Sequence, residues 1–343
     1  MYKMKKFFAF FLVMLFLCGC TKAPQQNQPT QPPNKTVGIC LPDFNWSNQA
    51  QVLTQQLEAQ GCTVLVEYAG GDLQRQRTQL ETFVNMPVGC IVLVAMDALT
   101  LLDALKDARQ ENVPVIALDR MLTYTDAVTC CVAADSYAAG QALGQYIVEK
   151  EQLGSAGTPV SVEFFMDAPE SYSSLLLYRG IMEKLQPYLA SGMLYCPSGR
   201  TGFEDVCIPE GSGDYASDRL FDQLAETEKV PDVVCAASDG LAAGCIDAMA
   251  SFGMNPEDEN WPLVTGMGAG TDALEYIDMG YQSVTLYVDN DALLQQCVQW
   301  IGKVIAGEAL TGTLQDNGVM QVPCALQPAT LVDASNYKDY ISE

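Results

Sequence analysis

The sequence predicts an α/β protein of two lobes, each built on a parallel sheet, with a ligand cleft between them. From residue 36 onward, short β-branched runs alternate with amphipathic stretches of helical period, the pattern of parallel strands joined by crossover helices. The halves also repeat one motif, a buried strand that ends in an aspartate just before a helix, at residues 91–99 and again at 233–241. At 343 residues the chain is long enough for two such lobes.

The predicted elements follow in order along the chain. Strands are expected at 36–41, 63–68, 90–95, 114–118 and 128–133 in the first half, and at 160–165, 192–196, 232–237, 262–266 and 282–286 in the second. Helices occupy the intervals, and the one at 98–111 places Leu101, Leu102 and Leu105 on one face. Asp72 and Thr271 stand at expected N-cap positions. Because ligands of such sheets bind beyond the carboxyl ends of the strands, the cleft is expected there.

The N-terminus has the features of an export signal. Three lysines within Met1–Lys6 precede an apolar run from Phe7 to Leu17, which is too short for a membrane-spanning helix. The run ends in Leu17-Cys18-Gly19-Cys20, which resembles the lipobox of bacterial lipoproteins. This predicts a signal peptide over residues 1–19, a lipid anchor on Cys20 and a flexible Pro- and Gln-rich tether over 20–35. An ordinary secretory signal is the alternative.

The charge and composition exclude several classes of function. The chain contains no histidine, so Ser-His-Asp and Cys-His catalysis and His-ligated metal centres are excluded. Its formal charge of −24 repels a polyanion, so nucleic acid is not expected as a partner.

The cysteines are expected to be buried thiols. Thirteen cysteines in an exported protein would ordinarily suggest disulfides. Here most lie in or beside apolar runs such as Val37–Cys40 and Val233–Ala236, where a thiol acts as a small hydrophobic group. Without Cys18 and Cys20 eleven remain, an odd number with no CxxC motif. We therefore predict mostly free core thiols, with a disulfide framework as the alternative.

Several strand-end motifs carry a family resemblance. They are Asp119-Arg120, Asp135, Ala237-Ser238-Asp239-Gly240-Leu241, Val264-Thr265-Gly266 and Asn317-Gly318-Val319. From about Thr36 to its C-terminus, the chain resembles the type I periplasmic sugar-binding proteins of ABC transporters, in particular the multiple-monosaccharide and xylose-binding branch. The resemblance implies two Rossmann-like lobes joined by three hinge crossings. It assigns residues 36–135 and 267–322 to the N-terminal lobe, and 136–266 and 323–343 to the C-terminal lobe.

The resemblance also implies a function. It predicts a lipid-anchored substrate-binding protein on the extracytoplasmic face of the cell envelope, which closes on a monosaccharide-like ligand and delivers it to an ABC permease. It implies a monomer that needs no cofactor and no metal and is not an enzyme. The alternative is a sugar-sensing module that presents its ligand to a membrane receptor. Two further hypotheses are weaker: a glycosidase with Asp119 and Asp239 as its carboxylate pair, and a sugar-responsive repressor, against which the lipobox argues.

The candidate ligand-binding residues combine charge and an aromatic face. Asp119 and Arg120 supply a charged acceptor and a five-donor fork, and in the family such a pair binds sugar hydroxyls. The resemblance gives Asp239 the same role from the other lobe, with an N-cap of the following helix as a second reading. It also implies that Trp46 stacks on the sugar ring, with a core tryptophan as the alternative. Asp135 and Gly266 are assigned to the hinge.

Other positions depart from the family pattern. Asn45 stands beside the aromatic residue where the family usually has arginine, and Tyr172 and Ser173 replace an asparagine pair. Met267 stands where relatives carry an amide or a carboxylate. Tyr172 and Ser173 are expected to substitute as hydroxyl partners of the ligand, whereas a thioether cannot. The departures therefore favour a ligand other than the usual pentose or hexose, either less polar, such as a deoxy sugar, or larger.

Overall fold

The computed structural model describes residues 34–155, 157–227 and 229–341, so the predicted signal peptide, Cys20 and most of the tether lie outside it. The strands in this part of the chain are β1 (Thr36–Leu41), β2 (Thr63–Tyr68), β3 (Cys90–Leu93), β4 (Val115–Leu118), β5 (Val128–Ala134), β6 (Val160–Phe165), β7 (Leu194–Tyr195), β8 (Val233–Ala236), β9 (Leu263–Val264), β10 (Val284–Val288), β11 (Thr313–Asp316), β12 (Gln321–Gln327) and β13 (Ala329–Asp333). The helices are α1 (Ser47–Ala59), α2 (Leu73–Val84), α3 (Leu102–Gln110), α4 (Ser136–Lys150), α5 (Tyr172–Ser191), α6 (Phe203–Val206), α7 (Gly213–Thr227), α8 (Asp239–Ser251), α9 (Thr271–Asp278) and α10 (Asn290–Ala306).

The first lobe is a seven-stranded sheet in the order β11-β12-β5-β4-β3-β1-β2. All of its neighbouring strands are parallel except β11, which is antiparallel to β12. Because successive side chains of a strand point to opposite faces, Ile39 of β1 packs with α1 and α10, whereas Cys40 packs with α2 and α3. The sheet is therefore buried on both faces, as parallel sheets require.

The second lobe is a sheet in the order β7-β6-β8-β9, with all pairs parallel. A single bridge between Thr265 and Val284 continues this sheet to β10, which pairs antiparallel with β13. Helices α4 and α5 pack closely on one another through two glycines. A Cβ atom at Gly140 would lie 2.0 Å from the carbonyl oxygen of Leu177, and one at Gly180 would lie 2.2 Å from that of Tyr137. Only glycine permits this approach.

The chain passes between the lobes three times, after β5, after β10 and after β12. The predicted lobe boundaries are wrong at the second and third passages. Residues 267–288, which were assigned to the N-terminal lobe, lie in the second lobe because β10 bridges to β9 and pairs with β13. Residues 323–327 lie in the first lobe because β12 runs beside β5, with Leu326 opposite Ala133.

Several of the predicted strands and one predicted helix cap are confirmed, and one predicted cap is wrong. The strands expected at 36–41, 63–68 and 160–165 coincide with β1, β2 and β6. Asp72 caps α2 as predicted, since its Oδ1 accepts hydrogen bonds from the backbone N–H groups of Gln74 and Arg75 at 2.9 and 3.0 Å. The prediction for Thr271 is wrong: it is the first residue of α9, and the N-cap is Gly270. Strands β11, β12 and β13 were not predicted.

The cysteines of the described residues are free thiols, as predicted. Eight of the eleven are buried, and Cys62, Cys196 and Cys207 are half-buried. Burial raises the pKa of the Cys90, Cys130 and Cys235 thiols to about 12, so these groups stay protonated and unreactive at neutral pH. In the same part of the chain, no helix has the length and apolarity needed to cross a membrane.

Candidate functional site

Asp119 and Arg120 lie at the carboxyl end of β4, in the first lobe. Asp119 adopts a left-handed backbone with φ of +67°, and its N–H donates to the carbonyl of Val132 at 2.8 Å. The Nε atom of Arg120 lies 3.6 Å from Oδ2 of Asp119, and Nη1 donates to the carbonyl of Ala95 at 3.3 Å. Burial raises the pKa of Asp119, an effect that the adjacent guanidinium partly offsets. The pair thus places an acceptor and a donor side by side at the strand end.

A cavity of about 200 Å³ joins the two lobes beside this pair. Its residues from the first lobe and the segment leading into it are Asp119, Ala134, Asn290 and Leu293, and those from the second lobe are Met267, Gly268, Leu286 and Val288. The cavity lies where the chain passes between the lobes, at the ends of β5 and β10. Asp119 and Met267, two residues singled out in the sequence from opposite halves, therefore meet in one cavity.

Asp239 holds the turn that carries Met267 against β10. Its Oδ1 accepts hydrogen bonds from Gln282 Nε2 at 2.8 Å and Thr285 Oγ1 at 2.7 Å, and its Oδ2 accepts one from the Ala269 N–H at 2.7 Å. A carboxylate offers about four acceptor positions, and three of those of Asp239 are occupied within the second lobe; Asp239 is not among the residues that line the cavity. The N-cap reading of Asp239 is wrong, since α8 begins at Asp239 and its N-cap is Ser238.

Asp167 is an acidic residue of the second lobe that the sequence analysis missed. It follows β6, is half-buried, and accepts a 3.1 Å hydrogen bond from Ser238 Oγ. Burial raises the pKa of Asp167, and the positive charge of Arg120 on the first lobe acts in the opposite direction. An acidic residue directly after a buried strand is the same signal that singled out Asp119 and Asp239.

Tyr172 and Ser173 lie in the first turn of α5 but face different surroundings. The Tyr172 ring packs against the core of the first lobe, and its hydroxyl donates a 2.8 Å hydrogen bond to the carbonyl of Asp316. Ser173 is exposed, with its Oγ 3.1 Å from that of Ser171. Tyr172 is thus a contact between the lobes, and neither residue is among those that line the cavity.

Asn45 and Trp46 lie on a short 3₁₀ turn between β1 and α1. The Asn45 N–H donates to Asp43 Oδ1 at 2.8 Å, and its side chain is exposed. Trp46 is half-buried against the core formed by α1 and α10. Phe44, on the same turn, is 69% exposed and stacks on Tyr68 with ring centroids 4.7 Å apart.

The two residues assigned to the hinge have different positions. Asp135 lies at the first passage between the lobes, where it caps α4 by accepting from the Ala138 N–H at 3.1 Å and donates its own N–H to the Gln327 carbonyl at 2.8 Å. It thereby ties the first passage to the third. Gly266 lies inside the second lobe rather than at a passage, and a Cβ atom there would be 2.2 Å from Asp239 Oδ1. Its role is to let the Asp239 carboxylate approach.

Within residues 34–155, 157–227 and 229–341, no group of three or more histidine, cysteine or acidic residues is arranged to hold a metal ion. The site instead presents carboxylates, one guanidinium and an aliphatic wall at the junction of the lobes. Two α/β lobes with a cavity at their junction are the architecture of two-lobed ligand-binding proteins.

The chain belongs to the periplasmic binding protein domain family, whose model matches residues 38–309. It is 30% identical to the multiple sugar-binding periplasmic protein SbpA of Azospirillum brasilense, over 95% of this chain and 92% of that protein. It is 28% identical to the multiple sugar-binding periplasmic receptor ChvE of Rhizobium radiobacter, over 90% of this chain and 89% of that one.

A solved structure shares both fold and sequence with this chain. It is an ABC transporter solute-binding protein from Clostridium phytofermentans with bound β-D-glucose, 29% identical, with a TM-score of 0.82 over 90% of this chain and 97% of that one. The type I periplasmic binding protein fold and the family resemblance predicted from the sequence are confirmed.

Proposed function

We propose that this protein is the substrate-binding subunit of an ABC importer and that it captures a monosaccharide in the cleft between its lobes. The observation that carries the proposal is the cavity shared by Asp119 of the first lobe and Met267 of the second. Relatives named for sugar binding, and a similar structure with bound glucose, support it. We favour transport over the sensory role because that structure is of an ABC transporter solute-binding protein.

The mechanism is closure of the two lobes around the ligand. Asp119 and Arg120 bind sugar hydroxyls from one lobe, and Asp239 does so from the other through its remaining acceptor position. Trp46 and Asn45 on the turn after β1, and Ser173 at the start of α5, do not line the cavity, and we expect them to reach the ligand only when the lobes close. Because each lobe provides only part of the contacts, ligand favours the closed form, which the permease recognises. The protein works as a monomer on the extracytoplasmic side of the membrane.

The lipid anchor is a separate part of the proposal. Residues 1–19 are removed as a signal peptide and Cys20 is acylated, since the motif Leu17-Cys18-Gly19-Cys20 matches a lipobox. The test is incorporation of labelled palmitate in a bacterial host. Cys20→Ser should abolish labelling, while Cys18→Ser, two residues earlier, leaves it unchanged. Labelling of the Cys20→Ser protein would contradict the anchor.

Sugar binding is tested by calorimetry and thermal unfolding of the purified protein against pentoses, hexoses and deoxy sugars. A ligand present at 100 times its Kd adds about 2.7 kcal/mol to the free energy of unfolding, which is readily measured. Arg120→Ala should abolish the response. The matched control is Arg109→Ala, which removes an arginine paired with Asp126 at 2.9 Å on the surface of the same lobe. A folded protein that responds to no sugar would overturn the proposal.

A further inference from the structure

One wall of the cavity between the lobes consists of aliphatic and thioether side chains. The second lobe and the segment leading out of it contribute Met267, Leu286 and Val288 to this wall. The first lobe contributes Leu293 of α10. Met267 and Val288 are half-buried and present the accessible part of this wall, whereas Leu286 and Leu293 lie behind it with 0% and 5% of their surface exposed. The polar side chains in the cavity lining are Asp119 and Asn290.

The main chain of the same wall is engaged in internal hydrogen bonds. The Leu286 N–H donates to the Gly266 carbonyl at 3.1 Å, and the Leu286 carbonyl accepts from the Gly268 N–H at 2.9 Å. The Met267 carbonyl accepts from the Asp239 N–H at 3.0 Å. A ligand hydroxyl directed at the side chains of this wall would meet only carbon and sulfur.

This matters because a buried hydroxyl without a partner loses its hydrogen bonds to water and gains none in return. A methyl or methylene group in the same place loses nothing and buries apolar surface. The Asp119 side of the cavity has the opposite preference, since its carboxylate requires a donor such as a sugar hydroxyl. The cavity is thus matched to a ligand with hydroxyls on one edge and an apolar group on the other.

We propose that the ligand is a deoxy sugar, a monosaccharide in which a methyl or methylene group replaces a hydroxyl-bearing one, and that Met267 with Val288 selects it. The inference rests on the proposed sugar-binding function. Apolar pockets separate ligands that differ by one such group by about tenfold to a hundredfold. We therefore expect at least one deoxy sugar to bind about tenfold more tightly than its hydroxylated parent.

The test is calorimetry of the full chain with sugars that differ at a single carbon. D-quinovose is compared with D-glucose, D-fucose with D-galactose, and 2-deoxy-D-glucose with D-glucose, with D-xylose and L-arabinose as sugars that lack the sixth carbon. A deoxy sugar preferred by more than about threefold in any pair supports the inference. A smaller preference in every pair, with measurable sugar binding, overturns the inference and leaves the proposed function standing. Absence of binding by every sugar overturns the proposed function itself.

A substitution tests the residue assigned to selection. Met267→Gln places an amide on the apolar wall, and the preference should shift toward the hydroxylated parent by about tenfold. The matched control is Met279→Gln at the end of α9, where the side chain is 54% exposed, and its preference should equal that of the wild type. An unchanged preference in a folded Met267→Gln protein would overturn the role of Met267. The comparison of sugars on the wild-type protein does not depend on how this variant folds.

Discussion

The hydroxyl of Tyr172 in the second lobe donates a hydrogen bond of 2.8 Å to the main-chain carbonyl of Asp316 in the first. Tyr172 is the first residue of α5, and Asp316 is the last residue of β11. The Tyr172 ring also packs against the first-lobe core, beside Met320 and Leu326. Because both contacts join the two lobes away from the cavity lining, they stabilise the arrangement in which the lobes are together.

Tyr172→Phe should therefore weaken sugar binding although the hydroxyl is not at the cavity. A neutral hydrogen bond contributes about 1 kcal/mol, so the closed form should be less favoured and the Kd should rise about threefold to tenfold. Calorimetry measures the Kd. The control is Tyr178→Phe, which removes a hydroxyl bonded to the Thr201 carbonyl inside the second lobe. An equal rise of Kd in both variants would contradict the prediction.

The positions of most strands could be predicted from the residues within each strand, whereas the pairing partners of β10 and β12 could not. A run of buried β-branched residues identifies a strand, but its hydrogen-bonding partner depends on residues far away in the chain. Strand β10 bridges to the end of β9 and pairs with β13, whereas β12 pairs with β5. The predicted lobe boundaries failed at these two places for that reason.

In the site, too, residues near a strand end could be identified from the sequence, whereas a contact between distant residues could not. Asp119 was singled out from its place after a strand and Met267 as a departure from the family pattern, and both line the cavity. Asp167 carries the same local signal and was overlooked. The Tyr172 contact could not be predicted, because its partner lies 144 residues away and is a backbone carbonyl, which leaves no mark in the sequence.

The backbone at Asp119 decides which substitution tests its carboxylate. Its φ of +67° is a conformation that asparagine tolerates and alanine does not favour. Asp119→Asn should weaken sugar binding about a hundredfold, the effect of leaving a site's polar contact unmade, with little change in the free energy of unfolding. Asp119→Ala should lose binding and also about 1 kcal/mol of stability through strain. Wild-type affinity in the folded Asp119→Asn protein would remove Asp119 from the site.

The contact between α4 and α5 predicts a position where one methyl group destabilises the second lobe. A Cβ atom at Gly140 would lie 2.0 Å from the Leu177 carbonyl oxygen, which no side-chain rotation can relieve. Gly140→Ala should lower the free energy of unfolding by about 3 kcal/mol, measured with urea. Gly240, in α8, has no atom within 4 Å of its would-be Cβ. Gly240→Ala should accordingly be neutral or stabilise by about 0.5 kcal/mol. Similar losses in both variants would show that helix contact is not the cause.

Asp167 predicts how the stability of the ligand-free protein depends on pH. Burial raises the pKa of its carboxyl in the folded state, while Ser238 and Arg120 offset part of this. Between the ordinary aspartate pKa, about 3.9, and the raised value, the folded state holds more protons than the unfolded state. The free energy of unfolding therefore falls as the pH rises through this window. Below the window the carboxyl is protonated in both states, so its burial does not lower the free energy of unfolding.

Asp167→Asn should remove this dependence, because the amide does not titrate. The free energy of unfolding of the variant, relative to wild type, should rise as the pH increases above about 4 and then level off once the wild-type carboxyl is ionised. Urea unfolding at a series of pH values measures this difference. The control for removing one negative charge is Asp126→Asn, at an exposed carboxylate paired with Arg109. A difference that stays constant from acid to neutral pH, or that falls, would mean that burial does not penalise the Asp167 carboxylate in the folded protein.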